Sequence, residues 1–284
     1  MRLASALLFL ASSSAASEYT ASVQKWRQER EARLKSPDNW LSVAGLFWLK
    51  PGENTVGSHP SARISLPKNA PASAGVFTLV GDAAAFRPTR GQAVTIRANS
   101  EDFVRVGGVK LSLLQRGARY GIRVRDNNSE YRKKFTKLEW FPVDPSWRVN
   151  AKYIPLEKPR TTFFDSITGD KQEMIIPGVV EFSREGKTFR LSPVLEGEEL
   201  FFVVRDTTAG KSTYPAARFL YAKLPKKSGP IEIDFNKMYN PPCAFTPYAT
   251  CPLPPKENRL PIAVEAGEKM YRGSGVHSEL PPAK

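Results

Sequence analysis

Short runs of β-branched and other apolar residues, separated by turn residues, recur along the chain and constrain its fold more than any other feature. Gly and Pro between such runs are typical of antiparallel sheets, whereas alternating βα units need helical patterns between the strands. The sequence therefore predicts a mainly β fold, an antiparallel sandwich or barrel-like sheet system with an N-terminal helix. The predicted strands are Ile64 to Leu66, Val76 to Val80, Ala93 to Ile96, Phe103 to Val106, Val109 to Leu114, Tyr120 to Val124, Lys171 to Phe182, Lys187 to Leu191, Leu200 to Arg205 and Ile231 to Phe235.

The segment from Glu18 to Lys35 has a helical pattern instead. It contains no Pro or Gly, and four residues recur on one helical face: Val23, Trp26, Arg30 and Leu34. This spacing predicts an amphipathic helix laid across the sheet. The helix also carries Arg27, Arg30 and Arg33 on adjoining faces, and we interpret these arginines as a solvated surface.

Residues 1–17 form a segment of their own. One basic residue, Arg2, precedes an apolar run and then a cluster of small residues. This order is typical of a secretory signal peptide and predicts a secreted or otherwise extracytoplasmic protein. An uncleaved anchor or an unstructured leader fits the same residues. Behind it, the composition predicts one β-rich domain over residues 18–271 and a disordered tail over 272–284.

The chain is strongly basic, with a formal net charge of +14 over 284 residues. A nucleic-acid-binding protein concentrates its basic residues in a patch or stripe, but here they are scattered and mixed with acids. Nucleic acid is therefore an unlikely partner. No run approaches the length of roughly 18 apolar residues that a membrane span needs, so we expect no transmembrane span in the mature chain.

Histidine is nearly absent, because only His59 and His277 occur. This scarcity argues against a histidine-based metal site or catalytic triad, and we expect neither a metal nor another cofactor.

The sequence Ala209 to Thr213 resembles the end of a phosphate-binding loop, but Arg205 stands where that loop needs glycine. A hairpin turn is the better interpretation.

The densest stretch of aromatic, proline and polar residues runs from Asp234 to Pro255 and contains both cysteines of the chain, Cys243 and Cys251. Its prolines remove backbone donors and fix φ, so we expect a rigid loop rather than a regular helix or strand. An oxidising compartment would join the two cysteines in a disulfide. Closing so short a loop would stabilise the fold by about 2.5 kcal/mol.

Arginines and carboxylates occur repeatedly on or beside the predicted strands. An isolated buried charge costs several kcal/mol, so these residues are expected to be paired, either with one another or with a ligand. Converging arginines would bind a planar anion in bidentate fashion, and tyrosines would stack on a ring or donate hydrogen bonds. The predicted ligand-binding residues are Arg123, Asp206, Tyr214, Arg218, Asp234, Asn236, Tyr239 and Asn240.

Three functional hypotheses follow from this set. The leading one is a pocket for a small polar ligand that is anionic or sugar-like. The second is a metal-independent hydrolase or lyase with Asp206 and Asp234 as its catalytic carboxylates, which requires the two groups to lie about 5–9.5 Å apart. The third is a structural or surface-interaction protein in which the polar pairs only hold the fold. The sequence does not decide whether the protein is an enzyme.

With these residues in view, the chain resembles the family catalogued as domain of unknown function 1684. The resembling stretches are WLSVAGLFWLKPGENTVG from Trp40, GIRVRD from Gly121, WFPVDPSWRV from Trp140, TYPAARFLYA from Thr213 and DFNKMYNPPCAFTPYATCPLPP from Asp234. The resemblance implies an export signal or lipoprotein anchor in similar members, and it implies no catalytic residue. One departure is Pro215-Ala216-Ala217 where glycine is expected, close to Arg218.

Overall fold

The computed structural model describes residues 4–273, with side chains from residue 16. It contains one long helix, α1 (Ala4–Lys35), and a four-residue helix, α2 (Glu130–Lys133). The predicted helical face is confirmed, because Val23 and Leu34 are 0% and 3% exposed. Most of the predicted signal peptide lies outside the described side chains. Residues 274–284 of the predicted tail lie outside the described residues.

Residues 43–126 form nine strands in two sheets. The sheet orders are β3-β2-β4-β5-β6 and β1-β9-β8-β7, and every pair is antiparallel except β2 with β3. Their alternating apolar residues enclose one core, as β9 shows with Ile122 and Val124 turned inward. The strands are β1 (Val43–Trp48), β2 (Glu53–Gly57), β3 (Ile64–Ser65), β4 (Gly75–Val80), β5 (Ala83–Pro88), β6 (Val94–Arg97), β7 (Val104–Val106), β8 (Val109–Arg116) and β9 (Arg119–Asp126).

Residues 148–234 form seven further strands in two antiparallel sheets, ordered β12-β11-β10-β16 and β13-β14-β15. Successive side chains of β14 alternate between two hydrophobic clusters, because the strand lies between them: Phe202 and Val204 face one, Phe201 and Val203 the other. The strands are β10 (Arg148–Asp165), β11 (Lys171–Arg184), β12 (Lys187–Leu191), β13 (Val194–Glu196), β14 (Glu199–Val204), β15 (Arg218–Lys223) and β16 (Gly229–Asp234).

The predicted fold class is therefore confirmed: the protein is mainly β, with several antiparallel sheets and an N-terminal helix. The apolar runs did not predict β5, whose alanines have low β propensity, or β15, whose first residue is a buried arginine. Within residues 4–273, no helix combines the length and the apolar character that crossing a membrane demands.

Between residues 235 and 273 the helical elements are three short 3-10 turns, Phe235–Lys237, Pro242–Ala244 and Lys256–Asn258, and the segment pairs with strands only through isolated bridges. It packs against both halves of the protein, since Thr246 Oγ1 donates to the Val43 carbonyl at 2.9 Å and Leu260 N to the Arg205 carbonyl at 2.8 Å. These turns bear out the expectation that the stretch forms neither a regular helix nor a regular strand. We call residues 241–252 the cysteine loop.

The predicted disulfide is not formed. Cys243 and Cys251 are both buried free thiols, and the backbone N–H of Cys243 donates to Cys251 Sγ at 3.3 Å. The prediction was wrong: the loop is closed by 3-10 hydrogen bonds instead, and both thiols are accommodated as small buried apolar groups.

A reducing agent is therefore expected to leave the melting temperature of the purified protein unchanged. No covalent link in this loop has to be broken, and burial raises the pKa of the Cys251 thiol well above its usual value, which lowers its reactivity. Thermal denaturation with and without a phosphine reductant measures this, together with thiol counting after unfolding. A drop in melting temperature on reduction, with fewer than two reactive thiols in the unreduced sample, contradicts it.

Candidate functional site

A cavity of about 550 Å³ lies among α1, Trp40, the ends of β8 and β11, the β13-β14-β15 sheet and the cysteine loop. It is called the cavity below. Its walls come from segments far apart in sequence: Arg30, Arg33 and Leu34 of α1 line it together with residues of the β13-β14-β15 sheet and of the cysteine loop. Its polar and aromatic lining residues are Arg30, Arg33, Asn39, Trp40, Arg116, Gln172, Glu196, Phe201, Phe219, Tyr221, Tyr239, Asn240, Phe245 and Thr250.

Four aromatic rings form one wall. Phe201 and Tyr221 are cross-strand partners on β14 and β15, and their rings stack with centroids 4.8 Å apart. Tyr239 joins the same surface because its backbone exchanges two hydrogen bonds with Phe219, and its ring lies nearly parallel to Tyr221 at 6.4 Å and 12°. Such a surface suits a flat or apolar portion of a ligand.

Arg30 connects helix α1 to this wall. Its guanidinium lies 4.1 Å from the Tyr239 ring centroid, and its Nε donates to Glu268 Oε2 at 2.9 Å. Glu268 is fully buried, and desolvation raises its pKa in spite of Arg30 and the amide of Asn240. Arg30 therefore offers the cavity a positive charge that is already partly balanced.

Asn240 contributes an unused acceptor. Its amide nitrogen donates to Glu268 Oε1 at 2.8 Å and to the Lys269 carbonyl at 2.7 Å, while Oδ1 is buried with no hydrogen-bond partner among the described residues. A buried carbonyl without a donor is costly, so a donor supplied by a ligand would be favourable here.

The opposite end of the cavity is positively charged. Arg116 donates from Nε to Thr250 Oγ1 at 2.9 Å and from Nη1 to the carbonyl of Gln115 at 2.7 Å. It forms no ion pair with a carboxylate of residues 16–273. Desolvation lowers its pKa. Arg33, on the exposed side of α1, adds a further positive charge to the lining.

Glu196 is the only carboxylate among the lining residues that the structure describes. It accepts a hydrogen bond from the Tyr221 hydroxyl at 2.6 Å. Burial, the neighbouring Tyr239 and this bond raise the pKa of Tyr221, so its hydroxyl stays protonated at neutral pH. The cavity thus carries more positive than negative charge.

Asp206 and Arg218, predicted as ligand-binding residues, are not among the residues that line the cavity. They form a buried ion pair with Arg218 Nη2 2.8 Å from Asp206 Oδ2, and the two side chains are 1% and 2% exposed. Arg218 also donates to the carbonyls of Val264 and Ala266, and Asp206 accepts from the backbone N–H of Thr208. Their polar contacts attach the 264–268 segment to β15.

Asp234 and Asn236 lie in a second group of hydrogen bonds, also outside the cavity lining. Tyr19 of α1 donates to Asp234 Oδ1 at 2.8 Å and accepts from Asn236 Nδ2 at 2.9 Å. Asn236 also bonds to the backbone of Asp144. Asp206 and Asp234 therefore belong to separate hydrogen-bond networks, and neither carboxylate lines the cavity.

Tyr214 is buried, and its hydroxyl donates to the Cys243 carbonyl at 3.2 Å. From the predicted set, only Tyr239 and Asn240 line the cavity, while Arg123 lies behind Trp40 with its Cζ 5.0 Å from the ring centroid. The sequence reasoning missed Arg30, Arg33, Arg116 and Glu196. For Arg30 the sequence did contain a signal: it lies on the same helical face as Val23 and Leu34, which predicts that its side chain points toward the protein interior.

Two comparisons place the chain among known proteins. A family described as "Protein of unknown function (DUF1684)" matches residues 133–269. The solution NMR structure of an uncharacterized protein from Haloarcula marismortui is 31% identical, covers 49% of this chain and 78% of that chain, and has a TM-score of 0.42. A search of the curated proteins finds no match. With a matching family domain and a relative that is 31% identical over 78% of its own length, the chain belongs to the DUF1684 family.

Proposed function

We propose that the protein binds a small organic anion with a flat or apolar portion in the cavity. The observation that carries the proposal is the imbalance of charge: with Arg30 paired to Glu268, the two arginines Arg33 and Arg116 still line the cavity against a single carboxylate, Glu196. Guanidinium groups bind carboxylates, sulfates and phosphates through charge-assisted and often bidentate hydrogen bonds. An anion is therefore a better occupant than a cation or a neutral molecule.

The remaining lining groups narrow the chemistry of the ligand. The rings of Phe201, Tyr221 and Tyr239 offer apolar contact area, and a ligand ring would extend their stack. The unpaired Oδ1 of Asn240 favours a ligand with a hydroxyl or N–H donor. An acidic sugar or a hydroxylated aromatic acid meets both conditions and also carries the negative charge that Arg33 and Arg116 favour.

Isothermal titration with benzoate, phenyl phosphate and the neutral benzyl alcohol tests the proposal. The anions are expected to bind and the alcohol to bind at least about tenfold more weakly, because a hydrogen bond to a charged group contributes roughly 1.5–3 kcal/mol. Arg33→Met/Arg116→Met removes two cavity charges without touching the buried Glu268. This variant is expected to lose at least about tenfold in affinity for the anions.

The matched control is Arg190→Met, which removes an exposed arginine of β12 that pairs with Glu181 away from the cavity. Its affinity for both anions is expected to equal that of the unmodified protein. Equal binding of the anions and the alcohol, or unchanged affinity in the double variant, contradicts the proposed function.

A further inference from the structure

Arg123 differs from Arg218, the other buried arginine among the described residues. It projects from β9 on the face opposite the core residues Ile122 and Val124, and it is 7% exposed. Its guanidinium lies against Trp40, whose ring lines the cavity. Two of its nitrogens, Nε and Nη2, are buried without a hydrogen-bond partner among residues 16–273.

The electrostatic surroundings of Arg123 make this arrangement unfavourable. Desolvation, followed by the charges of Arg125 and Arg116, lowers the pKa of Arg123 to about 9, so the group still carries its charge at neutral pH. Asp170, the carboxylate whose charge acts on Arg116, is ion-paired to Arg119. Two cations with no carboxylate bonded to them therefore lie next to one end of the cavity.

Packing alone does not account for Arg123. The contact with Trp40 is a cation-π contact, which engages the flat face of a guanidinium. The N–H donors point outward in the plane of that group, so the ring leaves them unsatisfied. Arg218 illustrates the alternative: its two Nη atoms bond between them to Asp206 and to backbone carbonyls, although its Nε is also buried without a partner among residues 16–273. A buried arginine with a purely structural role is expected to have its charge balanced in this way, whereas no carboxylate among residues 16–273 is bonded to Arg123.

We propose that the end of the cavity beside Arg116, Trp40 and Cys251 binds a doubly charged oxyanion, that of a phosphate monoester, with Arg116 contacting the phosphate and Arg123 supplying the second positive charge. This inference rests on the proposed function and specifies its ligand class. Two adjacent cations match two negative charges on one compact group better than a single carboxylate or a dicarboxylate with separated charges. In this assignment Arg123 does not contact the ligand. It is a positioning residue whose electrostatic field favours the second negative charge of the phosphate bound at Arg116.

Titrations at pH 7.5 with phenyl phosphate, benzoate and inorganic phosphate test the inference on the full chain. Phenyl phosphate is expected to bind at least tenfold more tightly than benzoate and than inorganic phosphate, which lacks the ring. In Arg123→Met both affinities are expected to fall, and that for phenyl phosphate by roughly the square of the factor lost by benzoate, because the field of Arg123 acts on two negative charges instead of one. The preference over benzoate is therefore expected to fall as well. Arg123→Lys keeps the charge and should retain most of the preference, and Arg190→Met serves as the charge-matched control.

Two further readouts separate this role from a structural one. The second ionisation of a phosphate monoester has a pKa of about 6, so the preference for phenyl phosphate should disappear at pH 5 in the unmodified protein. Without ligand, Arg123→Met is expected to melt at a higher temperature than the unmodified protein, because it removes an unpaired buried charge. A structural arginine would give a lower melting temperature.

The outcomes distinguish the two proposals. If both aromatic anions bind with equal affinity, or if Arg123→Met keeps its preference for phenyl phosphate, the dianion site is wrong and the proposed function stands. If neither anion binds the unmodified protein, the proposed function itself fails. If Arg123→Met does not fold, two other results would together overturn the inference. One is that Arg123→Lys loses the preference for phenyl phosphate over benzoate, and the other is that the unmodified protein keeps this preference at pH 5.

Discussion

Replacing Arg218 with methionine is expected to lower the free energy of unfolding by about 3–5 kcal/mol. The substitution leaves the carboxylate of Asp206 buried without its cation, and it frees the carbonyls of Val264 and Ala266. Methionine fills most of the same volume, so the loss measures the charge and hydrogen bonds rather than a cavity. Urea denaturation followed by tryptophan fluorescence provides the measurement.

Two comparisons sharpen this experiment. Arg190→Met removes an exposed partner of Glu181 and should cost at most about 1 kcal/mol, because solvent screens a surface pair. The double variant Arg218→Met/Asp206→Asn should lose less than the sum of its single variants, since it no longer buries a lone carboxylate. The buried pair would not have the role described here if Arg218→Met were as stable as Arg190→Met.

Replacing Gly267 with alanine is expected to cost about 2–5 kcal/mol, the sum of left-handed backbone strain and overpacking. Gly267 has φ +78°, and an added Cβ would lie 2.5 Å from the Met238 carbonyl oxygen. That oxygen accepts from the backbone N–H of Glu268 at 2.8 Å, so it cannot move without disturbing the residue that pairs with Arg30. The variant should therefore also bind anions more weakly.

Gly210→Ala is the matched control for Gly267→Ala. Gly210 has nearly the same backbone conformation, φ +80°, but the nearest atom to an added Cβ is Pro215 Cβ at 3.9 Å. It should show only the conformational cost of about 1–2 kcal/mol and unchanged ligand affinity. Equal losses in the two alanine variants, measured by the same urea titration, would mean that the contact with Met238 contributes nothing.

Local patterns were sufficient for much of the fold. Alternation of apolar residues predicted strands such as β9 and β12. One face of such a strand packs on the core and the other faces solvent, so apolar and polar residues alternate along the sequence. The face of α1 that carries Val23 and Leu34 was readable for the same reason. The prolines after Asp234 excluded regular structure, since they remove donors whatever their neighbours are.

The candidate site depended on contacts between distant parts of the chain. Arg30 was interpreted as solvated, yet it meets Glu268 and Tyr239, more than 200 residues away. Cys243 and Cys251 are close in sequence, which suggested a disulfide, but the loop holds them as two buried thiols. Spacing along the chain does not fix the separation of two side chains once the backbone between them turns.

The sequence by itself determined a mainly β protein of this family with an amphipathic N-terminal helix and a proline-rich loop. Only the tertiary structure decided which charges are paired. Arg218 and Arg123 are both buried arginines on strands, but the first meets Asp206 and two carbonyls, whereas Nε and Nη2 of the second meet none. The physical reason is that local periodicity fixes which face a side chain takes, while the partners on that face arrive from other segments as the chain packs.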